Sequence, residues 1–342
     1  MSAKVNFPPV IFGSTALGNI YEEIPYNTKL AIVRECVNNA PGGMVMFDSA
    51  GKYGAGLALE VLGKCLEELG VPPEKVIISN KLAWYRIPLS GPEPTFEPGV
   101  WHNLKYDAVQ KISYQGILDC YEQGNELLGK YKTQTASVHD PDEYLAAAVD
   151  KADDKRRYED ILAAYKALHE LKAAGKISSV GVGAKNWKSI QRIANDVELD
   201  WVMIANSITV HSHPQPLLEF MAQLHSKGVA IINSAVFNGG FLVGRDFYNY
   251  KKVDPDTEDG KAKYAWRAKF FELCAKHNVT PAEACFNFGF RIPGVNSVAL
   301  STSHPEKVKP NIAMATCEVP VALWDDMKAN GLLEEDYLIN NL

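Results

Sequence analysis

No apolar stretch of the 342-residue chain approaches the roughly 18 residues that a membrane-spanning helix needs, and the N-terminal MSAKVNFPPV carries no hydrophobic signal core. Basic residues never gather into a block: 35 Lys and Arg against 41 Asp and Glu leave a formal charge of −6, which argues against a nucleic-acid-binding surface. Cysteine is sparse. The six, at 36, 65, 120, 274, 285 and 317, lie far apart with no CxxC, and read as reduced, mostly buried thiols of a cytoplasmic protein. HSH at 211–213, with His225 beyond, lacks a third ligand at metal spacing, so no metal is expected. SAGKYGAG lacks the GK[ST] of a phosphate loop. Low-complexity tracts and clear internal repeats are absent too. The number of subunits is not legible in the chain.

What is present is alternation. Short apolar runs at 10–13, 44–47, 76–79, 135–138, 179–182, 201–205, 229–233 and 297–300 suit strands buried on both faces, as in a parallel sheet. Stripes of helical period lie between them: Leu57, Val61, Cys65 and Leu69; Ile161, Tyr165, Leu168 and Leu171; Leu217, Leu218, Met221 and Leu224. The reading is an α/β fold, a (β/α)8 TIM barrel forming one domain over residues 1–342, with extended loops at its C-terminal face. An open doubly wound sheet is the rival, but GKYGAG and GVGAKN lack the GxGxxG spacing it would normally carry. The surplus length is expected in loops at 83–106 and 239–264, both on the face where barrels build binding sites.

Polar residues stand at the ends of these strands. In MVMFDSAGKY (44–53), Asp48 closes the second strand and Tyr53 hangs from the loop it opens. Lys81 follows the third strand in VIISNKLAW, and His139 follows the fourth in TASVHDPDEY. A buried carboxylate is costly unless paired, and in a parallel barrel these ends meet on one face. A phenol with a pKa near ~10 is a poor acid or base at neutral pH. A neighbouring ammonium stabilises its phenolate, a carboxylate holds that ammonium in place, and an imidazole orients the reacting oxygen. Such a group suits carbonyl–alcohol interconversion and needs a bound hydride donor or acceptor. Asp142 and Glu143, close by, read as shaping the loop.

With these residues in view, the chain resembles the aldo-keto reductase superfamily over nearly its whole length. FDSAGKYG…LEVLGKCL is similar to its Asp-x-x-x-x-Tyr-Gly segment, SNKLAW to its lysine strand and SVHDPD to its histidine strand. STALGNIYEEI, AVFNGGFL (235–242) and the segment 267–301 look most like the subgroup that oxidises aldoses at C1, which includes the L-fucose, D-threo-aldose and L-galactose dehydrogenases. The resemblance implies that Tyr53 is the acid/base, tuned by Lys81 and Asp48, with His139 orienting the substrate oxygen.

It also implies cofactor contacts: Asp48, Phe237, and STSHPEKVKPN (301–311), where Ser301, Thr302 and Lys307 receive the adenosine phosphates and Asn311 the adenine. The pattern departs from the family elsewhere. Gly183 and Ala184 replace the usual Ser-Asn, leaving Lys185 or Asn186 as substitutes. Ser234 stands in place of a stacking tyrosine, and Ala205 or Asn206 in place of a glutamine. Ser301 replaces the lysine of NADP-preferring relatives, so NAD is expected, with NADP the alternative because Lys307 can still meet a 2′-phosphate. Tyr21, Trp84, Tyr85 and Trp101, together with His139, are candidates to line a sugar pocket, since aromatic faces stack on the C–H side of pyranoses. The expected function is NAD(P)-dependent oxidation of an aldose to its lactone. The alternatives are an NADPH-dependent aldehyde or ketone reductase and a cofactor-sensing regulatory subunit.

Overall fold

Each of the eight apolar runs forms a strand, and the strands close on one another. The computed structural model of the chain describes residues 6–249 and 251–333. In chain order the strands begin with β1 (Val10–Gly13), β2 (Val45–Ala50) and β3 (Val76–Leu82), followed by a hairpin of β4 (Trp84–Pro88) and β5 (Tyr106–Gln110). Next come β6 (Thr135–His139), β7 (Ser179–Ala184), β8 (Trp201–Ala205) and β9 (Ala230–Ser234). A small pair, β10 (Phe247–Tyr248) and β11 (Lys251–Lys252), precedes β12 (Val295–Leu300). The closed barrel runs β1-β2-β3-β6-β7-β8-β9-β12, with all neighbours parallel. Helices α1 (Tyr26–Asn39), α2 (Leu57–Glu68), α3 (Tyr114–Leu127), α4 (Pro141–Ala146), α5 (Lys151–Ala173) and α6 (Trp187–Asp196) belong to its first half. Helices α7 (Gln215–Ser226), α8 (Glu258–Lys276), α9 (Pro281–Arg291), α10 (Val308–Ala313) and α11 (Val321–Ala329) follow. This is the expected (β/α)8 barrel.

Three expectations need correction. The strands run further than their apolar runs, so Asp48 and Lys81 lie within β2 and β3 rather than at or beyond their ends. The ladder continues through Asp48–Ser79, Ser49–Asn80 and Ala50–Lys81 because an inward polar side chain does not interrupt backbone pairing. Residues 83–106 are not one loop, since β4 pairs antiparallel with β5 from Trp84–Gln110 to Pro88–Tyr106. The 239–264 stretch contains β10, β11 and the first turns of α8. Its polarity is partly that of a helix start: the Thr257 side chain accepts from Gly260 N, and Glu258 and Asp259 favour the positive end of the helix dipole.

Alternation along the strands divides the core. The large clusters lie between barrel and helices, whereas Phe7, Ile11, Met46, Trp201, Met203, Ala230 and Ile232 form a separate cluster inside the barrel. Trp201 lies against Gly181, where a Cβ would come within 2.2 Å of the indole ring, and Phe7 meets that ring edge-on at 6.0 Å. The interior is therefore packed at this level, which leaves the C-terminal ends of the strands for chemistry. Gly181→Ala should cost about 1–3 kcal/mol through this overpacking. A denaturant midpoint indistinguishable from wild type would contradict the packing described here.

Candidate active site

Strand periodicity places Met46 and Asp48 of β2, and Ile77, Ser79 and Lys81 of β3, on the interior face. Lys81 Nζ reaches back across the ladder to the Asp48 carboxylate, and both side chains are almost fully buried. The same ammonium donates to Ser49 O at 3.4 Å. Gly183 of β7 gives the lysine stem its room, since a Cβ there would come within 3.1 Å of Lys81 Cδ.

Tyr53 is held by a backbone crossing. The loop after β2 passes against the single turn Thr15–Gly18, and a Cβ on Gly18 would stand 2.9 Å from the Tyr53 carbonyl carbon. Gly54, at φ 59°, adopts the left-handed conformation that this approach requires. Lys81 Nζ then lies 4.7 Å from the centre of the Tyr53 ring. The His139 ring stands perpendicular to that of Tyr53 at 5.6 Å, and Trp101 lies on the tyrosine at 5.9 Å. The structure thus brings Asp48, Tyr53, Lys81 and His139 together from three adjacent strands and the loop after β2.

His139 ends β6 and is buried. Burial first, then the Lys81, Lys52 and Lys185 ammonium groups, hold its pKa well below the ordinary imidazole value, so the ring is neutral at physiological pH. Two buried polar atoms here, Asp48 Oδ1 and His139 Nδ1, make no hydrogen bond to the described residues. They belong to two residues that line a cleft, and each holds a lone pair without a donor.

That cleft has a volume of about 410 Å3. Of the residues singled out from the sequence, Asp48, Tyr53, Lys81 and His139 line it, as do Tyr21 and Trp101 on one side. Ser234 and Phe237 line it after β9, and Ser301 after β12, where Ser301 Oγ lies 2.9 Å from Thr15 Oγ1. The others stand apart. Trp84 belongs to the hairpin and packs on Phe96 at 5.7 Å, while Tyr85 carries Lys111 over its ring at 4.0 Å. Asn186 caps α6, accepting from Lys188 N at 3.1 Å. Asn206 is buried beside Ser234, whose carbonyl accepts from its backbone N–H at 3.1 Å. Thr302 closes a turn on His304, Lys307 is exposed, and Asn311 lies half-buried on α10, all on the segment following Ser301.

Three charged cleft residues had no assigned place in the sequence pattern, Lys52, Glu97 and Asp140, and a fourth, Lys185, stood only as a substitute for a missing amide. Adjacency was the available signal, since Lys52 directly precedes Tyr53 and Asp140 directly follows His139. Asp142 does shape the loop, accepting from the backbone N–H groups of Lys185 and Asn186 at 3.1 and 2.8 Å. Among the described residues, no group of three or more His, Cys, Asp or Glu is placed to hold a metal ion. His211 instead meets Tyr248 Oη at 2.8 Å and Trp266 edge-on, and burial first, then Lys263, brings its pKa down to about 4. No described helix is long and apolar enough to cross a membrane.

A closed parallel barrel whose open end carries a buried lysine–aspartate pair beneath a phenol defines an oxidoreductase of the barrel class. The chain belongs to the aldo/keto reductase family, whose model matches residues 9–329. It is 26% identical over 334 residues to a pyridoxal 4-dehydrogenase of Microbacterium luteolum, covering 94% of this chain and 93% of that one. It is 23% identical over 340 residues to a D-threo-aldose 1-dehydrogenase of a Pseudomonas species, covering 95% and 94%. Among solved structures it is similar to a glycerol dehydrogenase from Gluconobacter oxydans (TM-score 0.68, 14% identity, 98% and 97% coverage). A holo aldo-keto reductase from Bacillus halodurans is similar as well (TM-score 0.66, 17% identity, 97% and 96% coverage). Members of the family work with nicotinamide cofactors.

Proposed function

We propose that the chain oxidises a cyclic hemiacetal, foremost an aldose at C1, to the lactone, with NAD as the preferred oxidant. The observation that carries this reading is Tyr53, set beside the Lys81 ammonium and edge-on to a neutral His139 in one cleft. The names of two relatives support the substrate class. The C1 carbon of a pyranose is a hemiacetal, and so is the formyl carbon on C4 of pyridoxal once the neighbouring hydroxymethyl group closes on it.

The cleft suits a nicotinamide cofactor on its own features. It runs from the unpartnered Asp48 Oδ1 to Ser301, and glycines at 13, 239 and 240 line it without filling it. Asp48, Ser234, Phe237 and Ser301 would hold the group, with Thr302, Lys307 and Asn311 toward its adenosine end. Asn186 and Asn206 would need to turn to reach it. When bound, the cofactor supplies hydride acceptance at nicotinamide C4.

The chain's own residues manage the oxygen. His139 hydrogen-bonds the anomeric oxygen and fixes its direction. Tyr53 Oη takes the hydroxyl proton as the C1–O bond becomes the lactone carbonyl. Lys81 balances the phenolate charge before that transfer, and Asp48 keeps Lys81 in place. Trp101 and Tyr21 offer faces for the C–H side of the sugar.

The test is a panel of free aldoses, pyridoxal and simple aldehydes, assayed with each cofactor by the absorbance of its reduced form. NAD-linked oxidation of one stereochemical set of aldoses is expected. Without a lysine at 301 to pair with a 2′-phosphate, kcat/KM should favour NAD over NADP by about tenfold, the scale of one lost charge-assisted contact. Consumption of NADPH on simple aldehydes, with every hemiacetal inert, would overturn the proposal.

A further inference from the structure

Lys52 is an unusual residue for its position. It lines the cleft, stands between Asp48 and Tyr53 in the sequence, is only 3% exposed, and sets its ammonium against three carboxylates, donating hydrogen bonds to Asp140 and Glu143. Its Nζ lies 3.1 Å from Asp140 Oδ2, 3.1 Å from Glu143 Oε2 and 2.8 Å from Glu97 Oε1, with the Trp84 ring 5.1 Å away. Lys185, from the end of β7, pairs with Glu143 and lies 3.7 Å from Asp140 Oδ2. Lys52 and Lys185, from the loops after β2 and β7, thus converge on Asp140. That residue holds a left-handed φ of 48°, a conformation Asp tolerates better than most, and its N–H donates to Gly183 O at 3.1 Å.

Asp140 Oδ2 is also 3.6 Å from His139 Nε2. Left to itself, a carboxylate at that distance favours a charged imidazolium and draws its N–H away from any other acceptor. The opposite ring nitrogen, Nδ1, has no hydrogen-bond partner among the described residues. A buried lone pair without a donor costs less than a buried N–H without an acceptor, so the ring's proton belongs on Nε2.

We propose that Lys52 is a positioning residue: by clamping the Asp140 carboxylate it leaves the Nε2–H of His139 free for the reacting oxygen instead of for Asp140. This rests on the function proposed above and adds a residue to it. The charged groups around the ring fit the role. Lys81, balanced by Asp48, faces it from β3 and β2. Lys52 and Lys185 face it from the loops after β2 and β7, against Asp140 and Glu143 of the β6–α4 turn and Glu97 beyond Lys52. Burial first, then the Lys81, Lys52 and Lys185 ammonium groups, lower the pKa of His139, with Glu143 opposing them. For Lys52 itself, burial disfavours the charge, but Asp140, then Glu97 and Glu143, outweigh it and raise its pKa, so the clamp stays charged through the working range.

The test is a ring-nitrogen NMR titration of His139 in the full-length protein with NAD bound, run beside the pH dependence of kcat/KM. In wild type the ring should stay neutral and protonated at Nε2 well below the pH at which an unperturbed imidazole takes up its second proton. In Lys52→Met the midpoint should rise by about one unit or more, because an opposite charge nearby then acts unopposed. The acid limb of kcat/KM should move up with it, kcat falling more than KM changes. Adding Asp140→Asn should return both to near wild type. A merely structural lysine would lower stability in Lys52→Met with neither midpoint nor limb displaced, and that result would overturn the proposal. Should Lys52→Met fail to fold with three carboxylates unpaired, Asp140→Asn alone decides: its His139 midpoint should stay at or below wild type, and a rise would overturn the proposal. A wild type that oxidises no hemiacetal would count against the function proposed above, while the NMR midpoints would still report on Lys52.

Discussion

Tyr53→Phe should leave a folded protein that binds its cofactor at close to wild-type affinity and turns over about a thousandfold more slowly, within the range attributed to a positioned acid/base. The ring keeps its contacts with Trp101 and His139, and the ammonium over it stays where Asp48 holds it. Only the oxygen is lost. Since the acid/base acts mainly in the transition state, kcat and kcat/KM should fall together. Cofactor affinity from protein fluorescence and kcat from absorbance check both halves. A variant with wild-type rates would show that another group carries the proton.

Lys81→Met should be worse for the fold and equally bad for activity. Lys81 and Asp48 are both buried, and removing one partner leaves a carboxylate without its counter-charge, a loss of about 3–5 kcal/mol. The double variant Asp48→Asn/Lys81→Met should regain most of that stability, because no buried charge remains, and still show no measurable turnover. Denaturant midpoints for the two variants separate the effects. A double variant as unstable as the single would mean that packing of the lysine stem against Gly183, rather than charge, sets the cost.

Much of the barrel was legible because a parallel strand buried on both faces reads as an apolar run, whatever its distant neighbours. Asp48, Lys81 and His139 stood out because each interrupts apolarity near a strand end, and a parallel sheet sends all such ends to one side. Strand limits were less legible. An inward Lys81 or Asp48 looks like the end of a run, although its backbone stays in the ladder. Trp84 and Tyr85 illustrate a further limit: proline and glycine between 83 and 106 suggest a loop, whereas pairing of Trp84–Pro88 with Tyr106–Gln110 is set by contacts remote in sequence. That hairpin turns Trp84 toward Phe96 and Lys52. The Lys52–Asp140 contact joins residues 88 positions apart, and nothing local in GKYG or HDPD announces it.

The most direct measurement follows an isotope. The best aldose from the panel, carrying deuterium at C1, is incubated with NAD, and the reduced cofactor and the sugar product are analysed by mass spectrometry. Hydride removal from the anomeric carbon predicts one deuterium in the reduced cofactor, none at C1 of the lactone, and a slower reaction than with the protonated sugar. Deuterium released to water, or retained in the sugar while the cofactor is reduced, would contradict the account.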